Sequence, residues 1–141
     1  MPIQIVLDTN VLVAGLRSSR GASYRVLQLL GKGGFETNIS VPLFVEYEEV
    51  LARHQDSLEF SYEDVGNFLN YLVRVANKRE IFYLWRPQLP DPDDEMVLEI
   101  AVRAHCDYIV TFNLKDFSTS RQFGIEAIRP QEFLLRLRDT R

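Results

Sequence analysis

The 141-residue chain is poor in the features that mark secreted and membrane-spanning proteins. It contains one cysteine, Cys106, which excludes an internal disulfide framework and suits a reducing cytoplasm. No apolar run approaches the length that spans a bilayer. The start of the chain, MPIQIVLD, lacks the basic region and long apolar stretch of a signal peptide. We therefore expect a cytoplasmic protein without a membrane association.

The chain also lacks an excess of positive charge, since its formal net charge is −4. A protein that binds nucleic acid by charge alone is usually basic. Either nucleic acid is not the ligand, or something offsets the acids locally, as a bound divalent metal would. Apolar residues make up 46% of the sequence, which is typical of a globular protein, and the length fits one domain over residues 1–141.

Apolar spacing and turn signals predict strands that alternate with helices. Strands are predicted at Ile3–Leu7, Phe35–Ser40, Ile81–Trp85, Asp107–Thr111 and Ile125–Ile128. Helices are predicted at Val11–Leu16, at Tyr24–Leu30, from Pro42 to His54, after the box-like pair Ser61 and Asp64, from Asp91 to Ala104, and from Pro130 onward. This alternation indicates an α/β fold with a parallel sheet, in which ligands bind at the carboxyl ends of the strands.

Two acids occupy positions that surface chemistry explains poorly. Asp8 ends the apolar run Ile3–Leu7, so it is either the N-cap of the next helix or part of a site at the strand end. Glu46 shares a helix face with Leu43 and Val50, and a carboxylate on a buried face is costly unless it is paired or metal-bound. The alternative is that Glu46 lies at the edge of the apolar stripe and reaches water.

Two later segments repeat the pattern. Asp94 continues the apolar face of its helix at the N-terminal end, where the helix dipole favours an anion, although Asp91 and Asp94 could simply start the helix. The turn after the strand Asp107–Thr111 carries Asn113 and Asp116, which could equally belong to an ordinary Asx-type turn.

The joint placement of these residues is more informative than any one of them. Four separate segments put acids or amides where a parallel sheet gathers its site. Hard oxygen ligands of this kind suit Mg²⁺ or Mn²⁺. Such ions activate water and stabilise charge on a phosphoryl group, which is the chemistry of phosphodiester hydrolysis.

The same four segments resemble the motifs of the PIN-domain nucleases, in order and in spacing. Leu7–Leu12 looks like the opening motif, Glu46–Leu51 the second acidic motif, Asp94 with Val97 and Leu98 the third, and Thr111–Phe117 the last. The resemblance covers nearly the whole chain. The run from Asp91 to Asp94 is most similar to a toxin-like (VapC-like) branch, whose members belong to bacterial toxin–antitoxin pairs, cut RNA and often dimerise.

The resemblance implies a three-layer α/β/α fold with a central five-stranded parallel sheet. It implies a metal-dependent endoribonuclease that hydrolyses RNA with a metal-activated water, an antitoxin partner and a homodimer. The implied metal ligands are Asp8, Glu46, Asp94 and Asp116. Residues implied to support carboxylates or substrate are Thr9, Asn10, Thr111 and Asn113.

The chain departs from the fullest family pattern at Asn113, where many members have Asp. Asn is a weaker metal ligand, so a catalytically silent RNA- or protein-binding module of the same fold stands as the alternative. A phosphatase or dehalogenase with Asp8 as nucleophile is disfavoured, because the position two residues later is Asn10 rather than an acid. Arg17 and Arg20 are either steering groups for a phosphate backbone or solvated loop charges.

Overall fold

The computed structural model describes residues 2–80, 89 and 91–140. Within them, five parallel strands form one sheet in the order β3-β2-β1-β4-β5. The strands are β1 (Ile3–Leu7), β2 (Phe35–Ile39), β3 (Asn77–Lys78), β4 (Tyr108–Val110) and β5 (Glu126–Ile128). The α/β class and the parallel five-stranded sheet predicted from the sequence are confirmed.

The described residues also form α-helices on both faces of the sheet. These helices are α1 (Thr9–Arg17), α2 (Ala22–Gln28), α3 (Val41–Arg53), α4 (Tyr62–Val75), α5 (Pro92–Arg103) and α6 (Pro130–Asp139). Short 3₁₀ turns cover Gln55–Ser57 and Leu114–Phe123. None of the described helices is long and apolar enough to cross a membrane.

The central strands are apolar because both of their faces are covered. Ile5, Val6 and Leu7 are fully buried, as a strand in the middle of a parallel sheet requires. On one face, the Phe133 ring of α6 packs edge-on against Phe35 and Tyr108. On the opposite face, α5 packs against β1, β2 and β4. The core therefore lies on both sides of β1, and β1 ends at Asp8 in the middle of the sheet.

Helix boundaries follow the capping residues closely. The hydroxyls of Ser40 and Ser61 accept bonds from the N–H groups of Leu43 and Asp64. Helix α4 therefore begins after Ser61, as the sequence predicts, whereas α3 begins at Val41, one residue before the predicted Pro42. Gly124 has a φ of 76°, a left-handed conformation that suits glycine and lets the 3₁₀ turns end before β5.

The third strand lies at a position that the sequence analysis did not predict. It consists of Asn77–Lys78, which pair with Asn38 and Ile39. The Asn77 amide donates to Gln4 Oε1 at 3.2 Å and to Glu36 Oε1 at 3.0 Å, so polar side chains rather than apolar ones hold this edge. The predicted strand Ile81–Trp85 lies outside the described residues.

Tyr47 connects α3 to the end of β1 and provides a test of the fold. Its hydroxyl is buried and donates to the carbonyl oxygen of Leu7 at 2.5 Å. We expect Tyr47→Phe to lower the free energy of unfolding by about 1–2 kcal/mol, because a buried carbonyl loses its donor. Urea denaturation measures the change. Tyr62→Phe is the matched control, since Tyr62 is 78% exposed, and equal effects of the two substitutions would contradict the assignment.

Candidate metal-binding active site

Asp8 is held at the carboxyl end of β1 through both of its carboxylate oxygens. Oδ1 accepts from the Thr9 N–H at 2.8 Å, and Oδ2 accepts from the Thr111 hydroxyl at 2.7 Å. Its own N–H donates to the Val110 carbonyl, so Asp8 lies beside the end of β4. Asp8 is thus both the N-cap of α1 and a member of the strand-end cluster. Burial raises its pKa, although these two bonds oppose the shift.

The residues next to Asp8 link it to other elements of the cluster. The Thr9 hydroxyl donates to Glu46 Oε2 at 3.4 Å, which connects α1 to α3. Asn10 Oδ1 accepts from the Phe112 N–H at 3.4 Å, which connects α1 to the turn after β4. The predicted supporting residues Thr9 and Asn10 therefore lie between the segments that carry the acids.

Thr111 organises the turn that follows β4. Its fully buried hydroxyl donates to Asp8 and accepts from the Asn113 N–H at 3.0 Å. Asn113 is exposed, and its side chain does not cap the 3₁₀ turn that follows. The turn is therefore held by the hydroxyl of Thr111 and not by an Asx-type bond from Asn113.

Glu46 projects from α3 beside the buried residue Tyr47 and is itself half-buried. Burial raises its pKa to about 7, and the negative charge of Asp93 and a hydrogen bond with it add to the shift. Glu46 therefore lies at the edge of the apolar face of α3, partly exposed and beside other acids.

Asp94 stands at the third position of α5 and is half-buried. Burial raises its pKa to about 7, and the charges of Asp8, Asp91 and Asp116 act in the same direction. Asp91 is the N-cap as predicted, but its side chain accepts from the N–H of Asp93 and not from that of Asp94. Capping by Asp91 thus leaves Asp94 free to take part in the cluster.

Asp116 is exposed on the 3₁₀ turns after β4. Its charge raises the pKa of both Asp8 and Asp94, so it lies within electrostatic reach of the two. Asp8, Asp94 and Asp116 are thus within electrostatic reach of one another, and Glu46 is within reach of Asp8.

Asp93 also belongs to this cluster, and the sequence analysis did not select it. Its side chain is close enough to Glu46 to hydrogen-bond with it and to raise its pKa. The available signal was the run from Asp91 to Asp94, which puts several acids in one helical turn. Helical spacing assigned only Asp94 to the inward face. It does not indicate that α3 packs beside this turn, because that contact is formed only in the tertiary structure.

The cluster carries a concentration of negative charge that no described cation balances. Ion pairs among the described residues join Arg136 to Glu126 and Glu132, and Arg138 to Asp139, all outside the cluster. The acids of the cluster are Asp8, Glu46, Asp91, Asp93, Asp94 and Asp116. Their combined formal charge is more negative than the net charge of the whole chain, which is −4, so the rest of the chain is net positive.

The chemistry of these donors fits a divalent cation. Carboxylate oxygens are hard ligands that suit Mg²⁺ and Mn²⁺, and such an ion would offset the repulsion among them. Among the described residues, no three His, Cys, Asp or Glu side chains are already close enough together to hold a metal ion. Binding would therefore require the carboxylates, which repel one another, to move together.

The raised pKa of Glu46 leads to a prediction about the metal-free protein. The folded protein holds the Glu46 proton more tightly than the unfolded chain, because the pKa of this carboxyl rises from 4.5 to about 7 on folding. The protonated carboxyl therefore favours the folded state at low pH, and this stabilisation is lost as the pH rises from 4.5 through 7. We expect Glu46→Gln to raise the midpoint of thermal unfolding by about 2–4 °C at pH 8 in chelator, and far less at pH 5.

Glu49→Gln is the matched control, because it makes the same change at an exposed position of the same helix. Equal shifts in the two variants at pH 8, or a larger Glu46→Gln effect at pH 5, would contradict this electrostatic account.

Comparisons with known proteins agree with this geometry. A family model described as the PIN domain matches residues 4–115, which include three of the four selected acids. The crystal structure of VapBC2 from Rickettsia felis, bound to a DNA fragment from its promoter, is similar in fold, with a TM-score of 0.62 and 17% identity. The match covers 89% of this chain and 98% of that one. No curated protein matched in sequence. Since the family model spans most of its length, the chain belongs to the PIN-domain family.

Proposed function

We propose that this protein is a divalent-metal-dependent endoribonuclease and the toxin component of a toxin–antitoxin pair. The observation that carries the proposal is that Asp8, at the carboxyl end of β1, lies within electrostatic reach of Glu46, Asp94 and Asp116, with no described cation paired to any of them. Membership of a family of nucleases supports the reaction class. The fold likeness to VapBC2 and the run from Asp91 to Asp94 support the toxin branch and an antitoxin partner. A homodimer and a cytoplasmic location are further parts of the proposal, expected from the sequence resemblance and the single cysteine.

In this proposal, Asp8, Glu46 and Asp94 hold Mg²⁺ or Mn²⁺, with Asp116 completing the set. A divalent ion in such a site lowers the pKa of water and offsets charge on a phosphoryl group. Asp8 is preorganised for this role because its two oxygens already accept from Thr9 and Thr111. Thr9 orients Glu46 in the same way, through its hydroxyl.

A second candidate function is a binding module of the same fold without catalysis. Asn113 favours it, since this exposed amide stands where many family members have a carboxylate. Asp116 lies within electrostatic reach of Asp8 and Asp94 and compensates for that missing charge in the proposed site.

Cleavage of labelled mixed RNA by the purified protein tests the two functions. We expect cutting with Mn²⁺ or Mg²⁺ and none in chelator. We expect Asp8→Asn and Asp94→Asn each to lower kcat/KM by about 100-fold or more, because even groups that only support a metal ligand are worth about 10–100-fold. Glu49→Gln, on the exposed side of α3, should cut like the wild type.

Unchanged metal-dependent cutting by both Asn variants would remove the proposed site. RNA binding without cutting at any Mn²⁺ concentration would favour the binding module. Isothermal titration with Mn²⁺ then shows whether the carboxylates bind metal in the absence of turnover.

Thr111→Val tests whether the orientation of Asp8 matters. The substitution keeps the shape of the side chain but removes the donor to Asp8 Oδ2. We expect the concentration of Mn²⁺ that gives half-maximal cleavage to rise about 10–100-fold. Thr111→Ser retains the hydroxyl and should restore most of the wild-type value. Equal values in the Val and Ser variants would show that the hydrogen bond has no role.

A further inference from the structure

The acidic site poses a problem for any RNA substrate, because a cluster of carboxylates repels the phosphates on either side of the scissile bond. Metal offsets this charge only locally. Positive charge elsewhere must hold the rest of the strand, and outside the cluster the chain is net positive. The question is where that positive charge lies relative to Asp8.

Arg17 and Arg20, the candidates from the sequence, lie at the wrong end of α1. Asp8 caps the first residue of α1, whereas Arg17 ends the helix and Arg20 follows it. A helix of this length separates its ends by about 13 Å. Arg17 also donates to Ser57, away from the acids. Both arginines are exposed at the end of α1 that lies away from Asp8.

A groove of about 510 Å³ lies along the outer strand β5, next to the turn that follows β4. It starts at Leu114, the residue after Asn113, and continues past Ile128 to the first turns of α6. The Thr111 N–H donates to the Ile128 carbonyl at 2.9 Å, and the Thr111 hydroxyl donates to Asp8. Two hydrogen bonds thus connect the wall of the groove to the acidic cluster.

Two of the arginines that line this groove are not paired with an acid of the described residues. Arg121 and Arg129 are exposed, and neither forms an ion pair or a side-chain hydrogen bond with any described residue. The acids of the groove, Glu126 and Glu132, both accept bonds from Arg136. Three arginines thus face two glutamates, and the lining of the groove keeps a net positive charge. Arg129 directly follows the carboxyl end of β5, at the end of the sheet where the site lies, and Arg121 lies toward the amino end of the same strand. The groove therefore presents two free guanidinium groups along the length of β5.

We propose that this groove binds the phosphate backbone of single-stranded RNA next to the scissile bond, with Arg121 and Arg129 as the phosphate contacts. The proposal rests on the proposed nuclease function and adds the path of the substrate. Guanidinium groups bind phosphate oxygens through paired N–H donors, and such contacts position a strand without reading its sequence. The strand passes from the acids, across Leu114 and along β5.

The test compares Arg121→Glu, Arg129→Glu and the double variant with Arg20→Glu, which makes the same charge change at the far end of α1. Cleavage of a short unstructured RNA with Mn²⁺ gives kcat and KM. We expect the double variant to raise KM about tenfold or more, with most of the loss in KM rather than in kcat. Both positions are exposed, so the thermal midpoints should stay near the wild-type value.

Binding of the same RNA at several salt concentrations supplies a second readout, in an Asp94→Asn background that prevents cutting. Each phosphate contact on a single strand contributes about 0.7 to the slope of log Kd against log salt. We expect the double Arg variant to lose about twice that amount, Arg129→Lys to keep the wild-type slope, and Arg20→Glu to change neither slope nor KM.

An equal loss in Arg20→Glu and Arg129→Glu would overturn the groove in favour of general charge attraction. Wild-type KM in the double variant would overturn it and leave the nuclease intact, and a changed oligomeric state with unchanged KM would reassign the groove to a contact between copies. If the wild-type protein neither cuts nor binds RNA, the proposed function fails, and the groove fails with it.

Discussion

The hydrogen bond from Thr111 to Asp8 joins the two central strands at the end of the sheet where polar residues gather. At the same end of the two strands, the Asp8 N–H donates to the Val110 carbonyl, so a side-chain bond and a backbone bond connect β1 with β4. Together with the Thr9 N–H, which donates to the other carboxylate oxygen, this bond fixes the orientation of the buried Asp8 side chain. Helix α1 begins on this aspartate, and the turn after β4 is anchored on the same threonine. The orientation of Asp8 and the path of the turn that carries Asp116 depend on this threonine.

Orientation of this kind has an electrostatic cost. Partly burying several carboxylates against one another raises the pKa of Glu46 and of Asp94 to about 7, because each ionised group meets low polarity and like charge. The core that surrounds β1 must hold the acids in place against that repulsion. A protein that used these acids only as helix caps would have no reason to collect them. Concentrated charge of this type is typical of sites that bind a cation or handle protons.

The arginines of the groove along β5 divide into one that stabilises the fold and two that are unpaired. Arg136 reaches two glutamates and lies over the Tyr108 ring, so it ties α6 to the edge of the sheet. Arg121 and Arg129 have no such structural role among the described residues. The structural cation and the two free ones share one groove, which begins where the acidic cluster ends. An acidic protein can in this way present positive charge to a polyanion over a short path, even though its net charge opposes binding.

Much of this architecture was determined locally, by the sequence itself. Apolar runs define β1 and β2, and Ser40, Ser61 and Asp91 start their helices because a side-chain oxygen satisfies a free N–H at each position. Asp8 and Asp116 were selected because each follows a strand of the predicted parallel sheet, and Glu46 and Asp94 because each shares a helix face with apolar residues. Tertiary structure alone decided the short polar strand Asn77–Lys78, the contact of Asp93 with Glu46, and the location of the free arginines beyond β5. These features depend on which helices and strands pack side by side. The spacing of apolar residues within one segment does not reveal which distant segment will pack against it.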